Sequence, residues 1–188
     1  MMPVIRISDA TFADLKLIST WMETKTPSQT IEKVINETME SLGLERDGSR
    51  GADSALSEAP DAITEYENVP PVTFTKILGA SLNGKSLTKV NWNSFLAEMI
   101  STIAGNFMNL NDLVRGLEIP SVVGEHNADG YKFYPDLGIS VQGQSAFDAL
   151  KEAKRLSQKH NIPMEIEFQW HDKPRAYRPG QRGVVKWK

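Results

Sequence analysis

From His171 to Lys188 the chain concentrates its chemistry: Lys173, Arg175, Arg178, Arg182, Lys186 and Lys188 stand against a single acid, Asp172. Tyr177 and Trp187 are interleaved with them. Cations that attract phosphate, set beside rings on which bases stack, are the ingredients of a nucleic-acid contact. The same residues suit a solvated terminal loop, and Pro174, Pro179, Gly180 and Gly183 predict irregular backbone there. A second chemistry lies at the opposite end. Val4, Arg6 and Ser8 alternate with Ile5 and Ile7, so one face of a short strand is polar and the other apolar. Arg6 can bond guanine bidentately, Ser8 can reach several base edges, and Val4 can touch a thymine methyl.

The remaining candidates are weaker. Asp136, Glu165 and Glu167, followed by Gln169, resemble the carboxylates of the PD-(D/E)xK nucleases. That chemistry needs acids on adjacent strands around Mg²⁺ and a lysine near the attacking water. Gln169 stands at the last position, and alternating acids also fit the solvent face of a strand, so a nuclease is the minor expectation. His126, His160 and His171 have no metal-site spacing. The segment from Arg178 to Gly183 has two glycines but no P-loop lysine. Trp92, Phe95 and Met99 are at core spacing. No enzyme, cofactor or metal is expected.

These groups must be positioned by elements, and the punctuation of the chain divides it. With 188 residues, 40% hydrophobic and 24% charged, it has the composition of a soluble globular protein. There is no cysteine, which excludes disulfides and thiolate metal sites and fits a reducing cytoplasm. No apolar run is long enough to span a bilayer and the first residues do not read as a signal peptide, so a cytoplasmic protein with no membrane partner is expected. Net charge is −2 over residues 1–44, −5 over 45–70 and +4 over 71–188. The expectation is an arm (1–44), a flexible acidic linker (45–70) and an α+β domain with a mostly antiparallel sheet and a basic tail (71–188).

In the arm, Met2 to Ser8 reads as a strand. Ser8 or Asp9 caps a helix with Phe12, Leu15, Ile18 and Met22 on one face. Thr26-Pro27-Ser28-Gln29 reads as a capping box opening a second helix, with Ile31, Val34, Ile35, Met39 and Leu42 on one side and Gly43 at its end. In the domain, strands are expected near 72–82, 131–134, 138–142 and 164–170. Helices are expected after Asn91 or Asn93, over 108–117, and from Ser145 to about His160. Asn83-Gly84 marks a turn.

The order of strand, helix and capped helix, with Ile5-Arg6-Ile7-Ser8-Asp9, Phe12, Leu15 and Thr26-Pro27-Ser28-Gln29-Thr30-Ile31, resembles the ribbon-helix-helix family over about the first quarter of the chain. The layout is also similar to that of the negative modulators of replication initiation, where such a unit self-associates and a separate C-terminal domain binds DNA. The resemblance implies an intertwined homodimer whose two-stranded ribbon enters the major groove of double-stranded DNA, with Lys25, Thr26 and Ser28 at the second helix holding phosphate. It implies a regulator, such as a bacterial or phage repressor. Physics points the same way: one strand and two short amphipathic helices bury too little alone, and two copies can interlock. Two other readings stay open, an arm that only self-associates and an antitoxin-like or defence protein whose C-terminal domain captures a protein partner. The arm's acidic balance counts against DNA, whose affinity comes from basic groups.

Overall fold

Serine, threonine and asparagine caps set where the helices begin. The computed structural model describes residues 6–44, 63–126 and 128–188, which divide into two units, Met1–Met39 and Glu40–Lys188. In the first, Ser8 has extended backbone and caps α1 (Asp9–Trp21), its Oγ accepting the Thr11 N–H at 3.1 Å. A left-handed Glu23 (φ 54) turns the chain. At the start of α2 (Pro27–Leu42), Thr26 Oγ1 accepts the Gln29 N–H at 3.3 Å and Gln29 Oε1 accepts the Lys25 N–H at 3.1 Å. Half of the expected capping box forms: Thr26 accepts from Gln29, but the Gln29 side chain returns to Lys25, the residue before the cap. Helix α2 ends before Gly43, whose φ of 68° is one a side chain would strain.

The helical hairpin buries almost nothing. Thr30 is the only buried residue of α1 and α2, held by Thr24 Oγ1 at 2.6 Å and the Thr26 carbonyl at 3.1 Å. Phe12, Ile18, Ile31 and Ile35, expected on inward faces, are all exposed, and Trp21 is 89% exposed.

The second unit is α+β. A five-stranded sheet runs in the order β1 (Ile63–Tyr66), β8 (Arg182–Trp187), β7 (Met164–Trp170), β2 (Thr75–Leu82), β3 (Lys85–Leu87). Every pairing is antiparallel except β1 with β8. A three-stranded antiparallel sheet runs β4 (Ser121–Val123), β6 (Ile139–Gln142), β5 (Tyr131–Tyr134). Helices α3 (Trp92–Ala104) and α5 (Ala146–His160) pack together, and α4 (Leu110–Gly116) is short. The Asn91–Ser94 capping box and the Ser145 cap open α3 and α5 as expected. Asn83 (φ 50) and Gly84 (φ 77) both take the left-handed backbone of a type I′ hairpin between β2 and β3.

One face of the large sheet is core: Ile166, Phe168, Trp170 and Val185 lie with Leu96, Met99, Ile100, Ala153 and Leu156 of α3 and α5. Trp92, Phe95 and Met99 pack there, as their spacing predicts. The opposite face carries Glu165 across from Lys186, paired at 3.4 Å, and Glu167 diagonal to Arg182, at 3.8 Å.

Three expectations need correction. The first strand among the described residues is β1, and Arg6–Ser8 belongs to no ladder: a ribbon strand needs a second strand, and one chain does not supply it. Residues 2–5 of the expected strand, Val4 included, lie outside the described residues. Residues 63–66, assigned to the flexible linker, form an edge strand, because Thr64 and Tyr66 can lie over the core side of β8 while Ile63 and Glu65 face outward; residues 45–62 lie outside the described residues. The tail is not irregular throughout, since Arg182–Trp187 is an interior strand. Gly183, read as a breaker, sits where a Cβ would stand 2.6 Å from the Phe168 ring. It makes room for packing.

His160, at the end of α5, has a lesson in pH. The Asn106 amide faces its Nδ1 at 3.3 Å, its Nε2 is buried without a partner among the described residues, and the Phe107 ring lies tilted against it with centroids 5.6 Å apart. Burial first, then the charges of Lys159 and Arg155, lower its pKa below the ordinary imidazole value of 6.5. The fold therefore prefers the neutral ring, and the unfolded chain takes up the proton more readily. The stabilisation is full above pH 6.5 and is lost as pH falls from there toward the folded-state value. Urea midpoints of the protein and of His160→Gln at pH 7.5 and 5.5 test this: the substitution should shrink the acid loss. An equal loss in both proteins would place the acid sensitivity elsewhere.

Candidate functional site

Three places collect chemistry. At the start of α2, Lys25, Thr26 and Ser28, the residues expected to hold phosphate, are all exposed. Pro27 has no N–H and the Gln29 N–H is taken by Thr26, so Ser28 supplies the amide of that first turn. Arg6 and Ser8 are exposed at the start of α1. The Ser8 hydroxyl, expected on a base edge, is engaged in the helix cap and shares a 2.8 Å hydrogen bond with Thr11 Oγ1. A base contact by Ser8 would compete with a cap contributing about 1 kcal/mol. Arg6 has no such conflict.

The basic tail is sorted by the structure into paired and unpaired cations. Lys173 bonds Glu40, Arg182 lies 3.8 Å from Glu167, and Lys186 3.4 Å from Glu165. Trp187, expected to stack on bases, is only 8% exposed: its Nε1 donates to the Glu67 carbonyl at 2.8 Å and Lys154 covers its ring. It is a core residue, because alternation along an interior strand puts Val185 and Trp187 on the buried side. Arg175 and Arg178 have no carboxylate within ion-pair reach among the described residues.

These two arginines lie against rings. Arg175 stands over Phe74 (5.8 Å to the centroid), and Arg178 lies between Tyr66 (5.7 Å) and Tyr177 (5.5 Å). Trp170 lies below both tyrosines, 5.9 Å from Tyr66 and 5.8 Å from Tyr177. Burial raises the Tyr66 hydroxyl above the usual phenol value, and the Arg178 charge opposes it. The β7–β8 connection that presents Arg175, Tyr177 and Arg178 is pinned by the buried Ala176, by Gln169 Nε2 bonding the Gly180 carbonyl at 3.0 Å, and by the His171 N–H bonding the Phe74 carbonyl at 2.8 Å. Sequence reasoning missed Tyr66 and Phe74. Tyr66 sat in the presumed linker, and nothing local signals that a parallel edge strand brings it beside Arg178.

The nuclease carboxylates do not assemble. Asp136 lies between β5 and β6 of the small sheet, whereas Glu165 and Glu167 face outward on β7 of the large one, each next to a cation. Among the described residues no group of three or more His, Cys, Asp or Glu side chains is placed to hold a metal ion. Asp136 instead lines a cleft of about 400 Å³ between the outer face of α3 and the β5–β6 hairpin, with Glu98, Ser101, Lys132, Tyr134 and Gln142. The Asn91 and Asn93 amides and the Ser94 hydroxyl, also at this cleft, are committed to the helix cap and to Gln144. No helix among the described residues is long and apolar enough to cross a membrane. No protein-family model, curated protein or solved structure matches this chain.

Proposed function

We propose that this chain is a dimeric, sequence-specific DNA-binding regulator whose first unit pairs with that of a second copy. The supporting observation is the state of the helical hairpin: Phe12, Ile18, Ile31 and Ile35 lie exposed at helical spacing while only Thr30 is buried. A two-helix element with apolar stripes and no core is half of an interface. A second copy fits best, because the same stripes are self-complementary and the strand expected before α1 would pair across a two-fold axis. Pairing in that way sets Arg6 on the outward face of a ribbon that fits the major groove, and Lys25, Thr26 and Ser28 beside the phosphates.

The test uses the full chain. Sedimentation at micromolar concentration should give a dimer, and Phe12→Asp with Ile18→Asp should give a monomer of unchanged far-UV spectrum. Against duplexes selected by the protein, Arg6→Ala should lose roughly ten- to hundred-fold in affinity for the preferred site and little for random DNA. A compact monomer whose Arg6→Ala form keeps its sequence preference would overturn the reading.

A further inference from the structure

Arg178 is held between two tyrosine rings in a chain whose other tail cations mostly answer to acids, and that placement suggests a second ligand. We infer that the surface made by Tyr177, Arg178 and Arg175 is a binding platform for single-stranded nucleic acid, separate from the duplex contact proposed for the first unit.

Three features carry it. The first is an exposed ring: Tyr177 is 53% exposed although Trp170 lies 5.8 Å from it and the Arg178 guanidinium stands 5.5 Å from its centroid. A half-exposed ring fixed from below is a stacking surface with little left to lose in side-chain entropy, and any base has a face to offer it. The second is uncommitted charge. Lys173, Arg182 and Lys186 are neutralised by Glu40, Glu167 and Glu165, whereas Arg175 and Arg178 stand over aromatic rings with no carboxylate in ion-pair reach among the described residues. Among the described residues Arg178 makes one long side-chain contact, 3.5 Å to Thr64 Oγ1. Asp172, the acid of this segment, makes no ion pair with either among the described residues. The third is rigidity, given by Ala176 in the core between the two exposed side chains and by the bonds that pin the loop.

An exposed ring beside a guanidinium fork accepts a base and its adjoining phosphate together. A duplex cannot use the ring in this way, since its bases are stacked on one another and show no free face. The chemistry therefore favours unpaired bases, whether in DNA or RNA.

Fluorescence anisotropy with the full chain tests the inference, using a labelled twenty-nucleotide mixed-sequence DNA strand, the RNA of the same sequence, and the duplex that contains the DNA strand. Tyr177→Ala should lose about ten-fold in affinity for the strands, Tyr177→Phe should keep it, and Arg178→Ala should lose affinity and flatten the salt dependence. Near-UV and far-UV spectra establish that the variants fold. Arg6→Ala separates the two proposals, because it should leave strand binding unchanged even if the duplex reading fails. Tyr177→Ala binding the strands as tightly as the parent would overturn the inference. So would a duplex that binds as well as the strand and weakens equally on both substitutions, which would mark a phosphate contact alone.

Discussion

Trp170→Ala should destabilise the second unit by about 4 kcal/mol and lower its melting temperature by about 10 °C. The side chain is fully buried at the end of β7, where four rings converge: Phe168 at 5.0 Å, Tyr66 at 5.9 Å, Tyr177 at 5.8 Å, and its own indole. Truncation removes the apolar transfer term, leaves a cavity that neighbouring strands cannot close, and deprives the Pro71 carbonyl of the Nε1–H that reaches it at 2.9 Å. Trp170→Phe separates these contributions. It keeps most of the volume and loses the hydrogen bond, so about 1–2 kcal/mol is expected. Thermal and urea unfolding of both variants measure the difference. A loss below about 1 kcal/mol for the alanine variant would mean that the aromatic cluster is not the foundation of the sheet's end.

The substitution also links the core to the surface. Tyr177 rests on Trp170, so removing the indole frees the ring that is proposed to stack on bases. Trp170→Phe should therefore weaken strand binding less than Tyr177→Ala does, because a ring remains beneath the tyrosine. Duplex preference, assigned to Arg6, should not respond to either.

How legible this was depended on whether the signal is local. Caps are local, so Ser8, Thr26, Asn91 and Ser145 all stand where the sequence puts them. The Asn83-Gly84 turn and the alternation of β7 are equally short-range. Strands β1 and β8 depend on partners distant in sequence: Ile63–Tyr66 lies among acids and prolines, and finds its place only beside Arg182–Val185. In β8 the short Val184-Val185 pair is flanked by Gly180, Gly183 and Pro179, which leaves little local strand signal. The sequence view of the tail as one basic surface failed for the same reason. Which cations pair with Glu165 and Glu167 follows from strand register, and register is a tertiary fact. The apolar stripes of the arm were legible as stripes. What covers them was not, because a single chain's pattern is the same for any apolar partner.

Glu152→Ala is the second substitution expected to cost much, about 3 kcal/mol, and its reason is polar. Glu152 is 4% exposed on α5 and accepts three hydrogen bonds: from the Glu118 N–H at 3.0 Å and from Arg155 Nε and Nη2 at 2.7 and 2.6 Å. Arg155 Nη2 also donates to the Gly116 carbonyl at 2.8 Å. One carboxylate and one guanidinium thus tie down both backbone groups that leave the end of α4. The hydrogen bond to Glu152 is the main reason the Arg155 pKa lies above its ordinary value, so the cation persists across the accessible pH range. Removing the carboxylate leaves that cation half-covered beside only the exposed Glu118, 3.6 Å away, and leaves the Glu118 N–H without its acceptor. Removing both partners, as in Glu152→Leu with Arg155→Met, leaves no buried charge, and the double variant should recover a good part of the loss. Urea midpoints for the two single variants and the double close the cycle. If the double variant is no more stable than Glu152→Ala, the cost comes from the lost backbone bonds and not from an abandoned charge. A loss under 1 kcal/mol for Glu152→Ala would reduce the pair to the level of an ordinary surface ion pair.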